Sequence, residues 1–196
     1  MSRPIQPPRA RWLIPVLVVV VSLTVGGGLL TRELYRQPDR QEVAGVTIGT
    51  TKQLPPDQQP GSPAVELTPD AAAHPQDDTV RKLLQDYFDS INGRNYERYR
   101  TTVTIARMQA MGPAEWRQSF KTTNDGSILV YRIESVGPSA MNVLVSFTST
   151  QEPSDAPPEL QERCIRWSLA LPVKQETGSW KVDALPAGAP AEFKAC

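Results

Sequence analysis

The chain has 196 residues, with 21 lysines and arginines balanced by 21 aspartates and glutamates, two cysteines and one histidine. This length accommodates one ordinary domain with extensions, and a net charge of zero argues against a nucleic-acid-binding protein, which would carry a basic excess. One histidine excludes a multi-histidine metal site, and two cysteines alone cannot form a four-thiolate zinc or iron–sulfur site. We therefore predict no metal site and no cofactor.

The most hydrophobic segment, residues 12–30, contains no charged side chain. As a helix it would span roughly 28 Å, close to the thickness of a bilayer core. Arg3, Arg9 and Arg11 precede it, so the positive-inside rule predicts a cytoplasmic N-terminus, residues 1–11, and a single-pass anchor with the remainder outside the cytoplasm. The rival interpretation is a cleaved signal peptide, whose apolar region is typically about 7–15 residues long. Both interpretations place the rest of the chain beyond the cell membrane.

Residues 31–76 are rich in proline, glutamine, aspartate and small residues. Such a composition buries too little apolar surface to order itself, which predicts a semi-extended extracytoplasmic linker. Two apolar patches interrupt this segment, Val43–Ile48 and Val65–Leu67, and either could be a short strand or a contact segment.

A folded domain is predicted over residues 77–196. Apolar residues recur with the helical period from Val80 to Ile91, which predicts a first helix ending near Gly93. A second short helix is predicted after Asn95, with the chain still helical towards residue 111. A third begins at Pro113, a residue favoured in the first turn.

After the third helix the apolar residues alternate, which is the period of strands. Four strands are predicted, at Ser127–Val136, Met141–Thr150, Cys164–Lys174 and Ser179–Ala184. Helices followed by an antiparallel meander indicate an α+β fold in which about three helices pack on one face of a curved four-stranded sheet.

Cys164 and Cys196 are the two cysteines of the chain. In an oxidising compartment two cysteines in one small domain usually pair, so we predict a disulfide that holds the C-terminal tail against the sheet. A redox-active or metal-binding pair is the alternative, but the two residues lack the Cys-x-x-Cys spacing. Pairing between two chains is a further alternative.

Two stretches resemble a known superfamily. The first is the helix and turn from Val80 to Tyr99, which contains Phe-Asp-Ser-Ile-Asn-Gly-Arg-Asn-Tyr, and the second is the final Gly-Ser-Trp-Lys-Val-Asp of residues 178–183. They resemble the nuclear-transport-factor-two-like superfamily, which includes ketosteroid-isomerase-like and polyketide-cyclase-like proteins. The whole chain also looks like actinobacterial membrane-anchored proteins that carry this domain outside the membrane. The resemblance implies a cone-like fold with a pocket at its open end.

Five aromatic residues are candidates for the lining of that pocket: Tyr87, Trp116, Phe120, Tyr131 and Trp167. No catalytic residue is assigned, because Asp86 and Asp89 lie off the apolar stripe of the first helix and Asp183 is predicted on an outward face. The predicted function is a non-catalytic, membrane-anchored module of the cell envelope that binds a small apolar ligand or an envelope protein. The resemblance also leaves room for a homodimer formed through the sheet. The alternative is an exported isomerase- or dehydratase-like enzyme, which a buried acid in the pocket would favour.

Overall fold

The computed structural model describes residues 54–186 and 191–196; the predicted anchor, residues 12–30, and the patch Val43–Ile48 lie outside them. The described α-helices are α1 Pro69–Ala72, α2 Asp77–Asn92, α3 Tyr96–Thr102, α4 Ile105–Ala110 and α5 Pro113–Ser119. The described strands are β1 Val65–Leu67, β2 Asn124–Gly137, β3 Ala140–Thr150, β4 Cys164–Glu176, β5 Ser179–Val182 and β6 Glu192–Ala195. This part of the chain has a mixed α+β fold, as predicted.

The strands form one curled sheet in the order β1-β2-β3-β4-β5. The sixth strand, β6, pairs with the first half of β4, whereas β5 pairs with its end. The pair β1–β2 is parallel and every other described pair is antiparallel. The register between β2 and β3 shifts at three places, between residues 126 and 129, 130 and 132, and 135 and 137. Such bulges bend a strand and increase its twist, which accounts for the curl.

Helix α2 fills the concave side of the sheet and confirms the predicted first helix. Its apolar stripe is buried at Val80, Leu83, Leu84, Tyr87, Phe88 and Ile91. These side chains join the inward residues of β2, β3 and β4 in one core. Burial of each large apolar side chain stabilises the fold by roughly 1.5–3 kcal/mol, so this stripe supplies much of the driving force for docking the helix.

The described part contains five α-helices where the sequence predicts about three. Residues 101–111 do not form one continuous helix, because Val103 is extended and bridges to Val182 of β5. The Thr104 side chain then accepts a hydrogen bond from the backbone N–H of Arg107 and starts a new helix, α4. Within residues 54–186 and 191–196, no helix has the length and apolar character needed to cross a membrane.

The sheet has six described strands, two more than the four predicted. The first addition, β1, belongs to the predicted linker: Val65 lies opposite Ile128, and the Val65 N–H donates to Oε1 of Gln85 on α2. The folded unit therefore includes residues N-terminal to 77. Composition does not reveal this because the strand is three residues long and its partners lie far along the chain.

The second added strand, β6, holds the C-terminal tail. Its residues 192–195 pair with residues 165–168 of β4. A disulfide joins Cys164 to Cys196 directly beyond this pairing, with their Cα atoms 5.4 Å apart. The Phe193 ring lies 5.2 Å from the Trp167 ring, so the tail also packs against the inner face of the sheet.

Candidate functional site

A cavity of about 410 Å³ lies between α2, the inner face of the sheet and the loop after β3. Its size is within the range of small-molecule sites, roughly 300–1,000 Å³. The apolar lining consists of Phe88, Ile91, Phe120, Phe147, Trp167, Leu169 and the loop residues Ala156, Pro157 and Pro158. Tyr87, Ser119, Thr123, Asp125, Ser149, Gln151 and Asp155 complete the wall.

The aromatic part of the wall is a chain of ring contacts. The rings of Phe88 and Phe147 meet edge to face with centroids 4.9 Å apart, and Phe147 stacks on Trp167 at 6.2 Å. Phe193 of β6 supports Trp167 from the tail. Because each ring contacts the next, the aromatic surface is held in place before any ligand enters.

Asp125, at the start of β2, is the buried acid of this cavity, with only 4% of its surface exposed. The Ser149 hydroxyl donates to its Oδ1 atom at 2.5 Å. Burial raises the pKa of Asp125 to about 6, although the Ser149 hydrogen bond and the charge of Arg94 act in the opposite direction. Asp125 forms no salt bridge with any residue of the described ranges.

The backbone of Asp125 is fixed by Asn92, the last residue of α2. The Asn92 side chain accepts from the Asp125 N–H at 2.7 Å and donates to the Asp125 carbonyl at 2.9 Å. This two-way contact ties the end of the helix to the start of β2. Because both α2 and β2 hold the backbone of Asp125, its carboxyl group has a defined position in the cavity.

The second carboxylate of the wall, Asp155, has its own partners. Lys121 Nζ lies 3.0 Å from its Oδ1, and the Thr122 hydroxyl donates to its Oδ2 at 2.6 Å. The hydrogen bond from Thr122 is the main cause that lowers the pKa of Asp155, and Lys121 adds to it. Asp155 is therefore an ionised group in a salt bridge, whereas Asp125 forms no salt bridge in the part of the chain that the structure describes.

Tyr87 lies in the wall with its hydroxyl bound to a half-buried arginine. Arg107 Nη2 donates to the Tyr87 hydroxyl at 2.8 Å, and Nη1 donates to the Asp183 carbonyl at 2.7 Å. Burial raises the pKa of Tyr87 to about 12, so the phenol is neutral at physiological pH. Arg107 is thereby engaged with protein groups and is not one of the described lining residues.

Three of the five aromatic residues predicted for the pocket, Tyr87, Phe120 and Trp167, line this cavity. Trp116 lies deeper, fully buried in the core and 5.4 Å from the Phe120 ring. Tyr131 is 42% exposed. It is the extra residue of a bulge between Val130 and Arg132, which leaves it outside the alternation that brings inward residues to the core.

The carboxylates considered from the sequence lie away from the cavity. Asp86 and Asp89 form ion pairs with Arg98 at the surface of α2. Asp183 is buried, contrary to the outward position predicted from strand alternation, because it lies just past the end of β5. There it accepts a hydrogen bond from Thr104 and pairs with Lys174 at 2.5 Å.

The sequence did not mark Asp125 as a site residue, because the run Asn124-Asp125-Gly126 is typical of a turn. The register between β2 and β3 shifts directly after Gly126, so Asp125 is out of phase with the alternation that begins at Ile128. No local pattern therefore marks it as an inward residue.

The protein matches no family model, and comparison with curated proteins finds no similar sequence. A curled sheet covered by helices hosts many functions, so the fold alone assigns none.

Proposed function

We propose that this domain is a ligand-binding module of the cell envelope, held outside the cytoplasmic membrane by the segment 12–30. The observation that carries the proposal is the cavity of about 410 Å³, whose aromatic walls surround the buried carboxyl group of Asp125. An apolar pocket with a few polar groups converging in it is the usual form of a small-molecule site. The ligand has an apolar body and at least one polar group.

The placement outside the membrane is supported by the disulfide between Cys164 and Cys196, since disulfides persist in oxidising compartments. It is supported further by the arginines before the apolar segment 12–30. We propose on the same basis that the domain belongs to the nuclear-transport-factor-two-like superfamily. A long helix lying in a curled sheet, with a cavity between them, supports this membership.

Ligand binding is tested by equilibrium dialysis of the full-length protein against a neutral apolar probe, 2-naphthylmethanol. Leu169→Trp places an indole ring where the wall of the cavity has a smaller aliphatic side chain, and is expected to weaken binding at least about tenfold, because the ring occupies space that the probe needs. Leu144→Trp is the matched control. Leu144 lies between the buried residues Val143 and Val145 and so faces the other side of the sheet.

Equal binding by wild type, Leu169→Trp and Leu144→Trp would place the probe elsewhere and count against the cavity. Binding lost in both variants would also count against it, since the two substitutions lie on opposite faces of the sheet. Only selective loss in Leu169→Trp agrees with the proposal.

Asp125 favours a second candidate function, proton transfer catalysed by an exported enzyme. A carboxyl group with a pKa of about 6 can take up and return a proton near neutral pH, which is what a general acid–base catalyst requires. The test is exchange of the methyl protons of 2-acetonaphthone with deuterated water. A catalyst would accelerate the exchange in the wild type, and Asp125→Asn would remove the acceleration. Exchange at the uncatalysed rate would leave the binding module as the function.

A further inference from the structure

We propose that the ligand of this cavity is an organic ammonium ion with an apolar body, bound with its charged nitrogen against Asp125. This inference rests on the proposed binding function and narrows it to one chemical class. It excludes carboxylates and phosphates of the same shape, and it ranks neutral molecules below the cation.

The charge of the cavity wall is the first observation. Of its 16 lining residues two are carboxylates, Asp125 and Asp155, and none is a lysine, arginine or histidine. The cations nearby are already in use: Lys121 pairs with Asp155, and Arg94 donates to Asn124 and to the Lys121 carbonyl. A ligand anion would therefore meet the carboxylate of Asp125, which forms no salt bridge within the described residues, and this is unfavourable in a partly desolvated site.

The free oxygen of Asp125 is the second observation. Ser149 occupies Oδ1, whereas Oδ2 receives no hydrogen bond from the described residues. A carboxylate that is 4% exposed and forms no salt bridge within the described residues loses much of its hydration with little compensation. An ammonium group supplies both a hydrogen-bond donor and a positive charge to that oxygen, which makes the contact a charge-assisted hydrogen bond.

The aromatic wall is the third observation. Phe88, Phe120, Phe147 and Trp167 present rings to the same cavity. The faces of aromatic rings attract cations and repel anions, because the π electrons give each face a negative potential. The rings also bury the apolar body of a ligand. A single wall can therefore bind both parts of an apolar ammonium ion.

The test uses three probes that share one ring system: 2-naphthylmethylamine, 2-naphthylmethanol and 2-naphthoate. Their affinities for the full-length protein are measured by equilibrium dialysis at pH 7.5, where the amine is protonated and Asp125 is ionised. We expect the ammonium ion to bind at least about tenfold more tightly than the alcohol, as a hydrogen bond between charged groups implies. We expect the carboxylate to bind most weakly.

Asp125→Asn removes the charge while keeping the shape of the side chain. In this variant the preference for the ammonium ion over the alcohol is expected to fall at least about fivefold. Asp70→Asn is the matched control, because it removes the same charge from an exposed residue of α1 that pairs with Arg132. It is expected to leave the preference unchanged.

The outcomes separate this inference from the proposed function. If the wild type binds the alcohol or the carboxylate as tightly as the ammonium ion, or if the preference survives in Asp125→Asn, the ammonium class is wrong while the cavity remains a binding site. If none of the three probes binds, both proposals fail. The wild-type order of affinities decides the inference even where Asp125→Asn does not fold, since that comparison needs no variant.

Discussion

Replacing Asp125 by asparagine is expected to stabilise the protein at alkaline pH. Folding raises the pKa of this carboxyl group from 3.8 to about 6, because burial removes water from the ionised form. One pKa unit corresponds to about 1.36 kcal/mol, so keeping Asp125 ionised in the folded state costs about 3 kcal/mol above pH 6. Asparagine avoids this cost and retains an oxygen for the Ser149 hydroxyl. Its amide N–H₂ group gains no hydrogen-bond partner there, and this loss cancels roughly 1–2 kcal/mol of the stabilisation gained by removing the charge.

The expected net gain at pH 8 is therefore about 1–2 kcal/mol in the free energy of unfolding. Between about pH 4 and pH 6 the folded protein holds a proton on Asp125 that the unfolded chain has lost, so the stability of the wild type falls as the pH rises through this window. Below pH 4 the carboxyl group is neutral in both states. The gain from asparagine must disappear there.

Urea unfolding of the oxidised full-length protein at pH 8 and at pH 4 measures both quantities. The reasoning predicts that Asp125→Asn is more stable than the wild type at pH 8 and not at pH 4. A variant that is less stable at pH 8, or one whose gain is the same at both pH values, would refute it. Asp70→Asn serves as the control, because an exposed ion pair such as that with Arg132 contributes only about 0–1 kcal/mol.

Three further predictions concern the packing of the domain and are measured by the same unfolding assay. Gly126→Ala is expected to lower the free energy of unfolding by at least about 2 kcal/mol, because a Cβ atom there would lie 2.6 Å from a backbone oxygen. Gly137→Ala is the control and should cost less than about 1 kcal/mol, because a Cβ atom there has nothing within 4 Å; equal costs would contradict the reasoning. Reduction of the disulfide between Cys164 and Cys196 should lower the free energy of unfolding by about 3–4 kcal/mol, because the unfolded chain regains entropy over a separation of 32 residues. An unchanged urea midpoint in dithiothreitol would contradict this prediction. Thr104→Val should cost about 1–3 kcal/mol of unfolding free energy, because it removes the N-cap of α4 and the hydrogen-bond donor to the buried carboxylate of Asp183. An unchanged stability would show that neither contact contributes.

Several features of the domain could be predicted because they are periodic and local. The apolar residues from Val80 to Ile91 repeat every three or four positions, and the structure forms a helix there. Alternation likewise predicted β3 and β4, and buried and less buried residues follow one another over residues 140–146 of β3 and 168–173 of β4. The same periodicity brought Tyr87 and Trp167 to the inner side, where they line the cavity.

The features that could not be predicted depend on contacts between distant parts of the chain. The segment before residue 77 has the composition of a linker, yet residues 60 and 61 pack against Gly126, and the Ser127 hydroxyl donates to the Pro60 carbonyl. β1 is a strand because β2 offers it a free edge. Three residues are too few to show a period, so their pairing is decided by tertiary contacts alone.

The α+β class, the long helix and the expected pairing of the two cysteines follow from the sequence alone, because they depend on periodicity and composition. The burial of Asp125 follows instead from contacts between distant parts of the chain. The register shift after Gly126 breaks the alternation that would have marked Asp125, and the contacts of Asn92 and Ser149 then hold it within the cavity. The polar group on which the proposed chemistry depends is therefore placed by packing, since a residue that interrupts the strand pattern carries no local signal of the direction it faces.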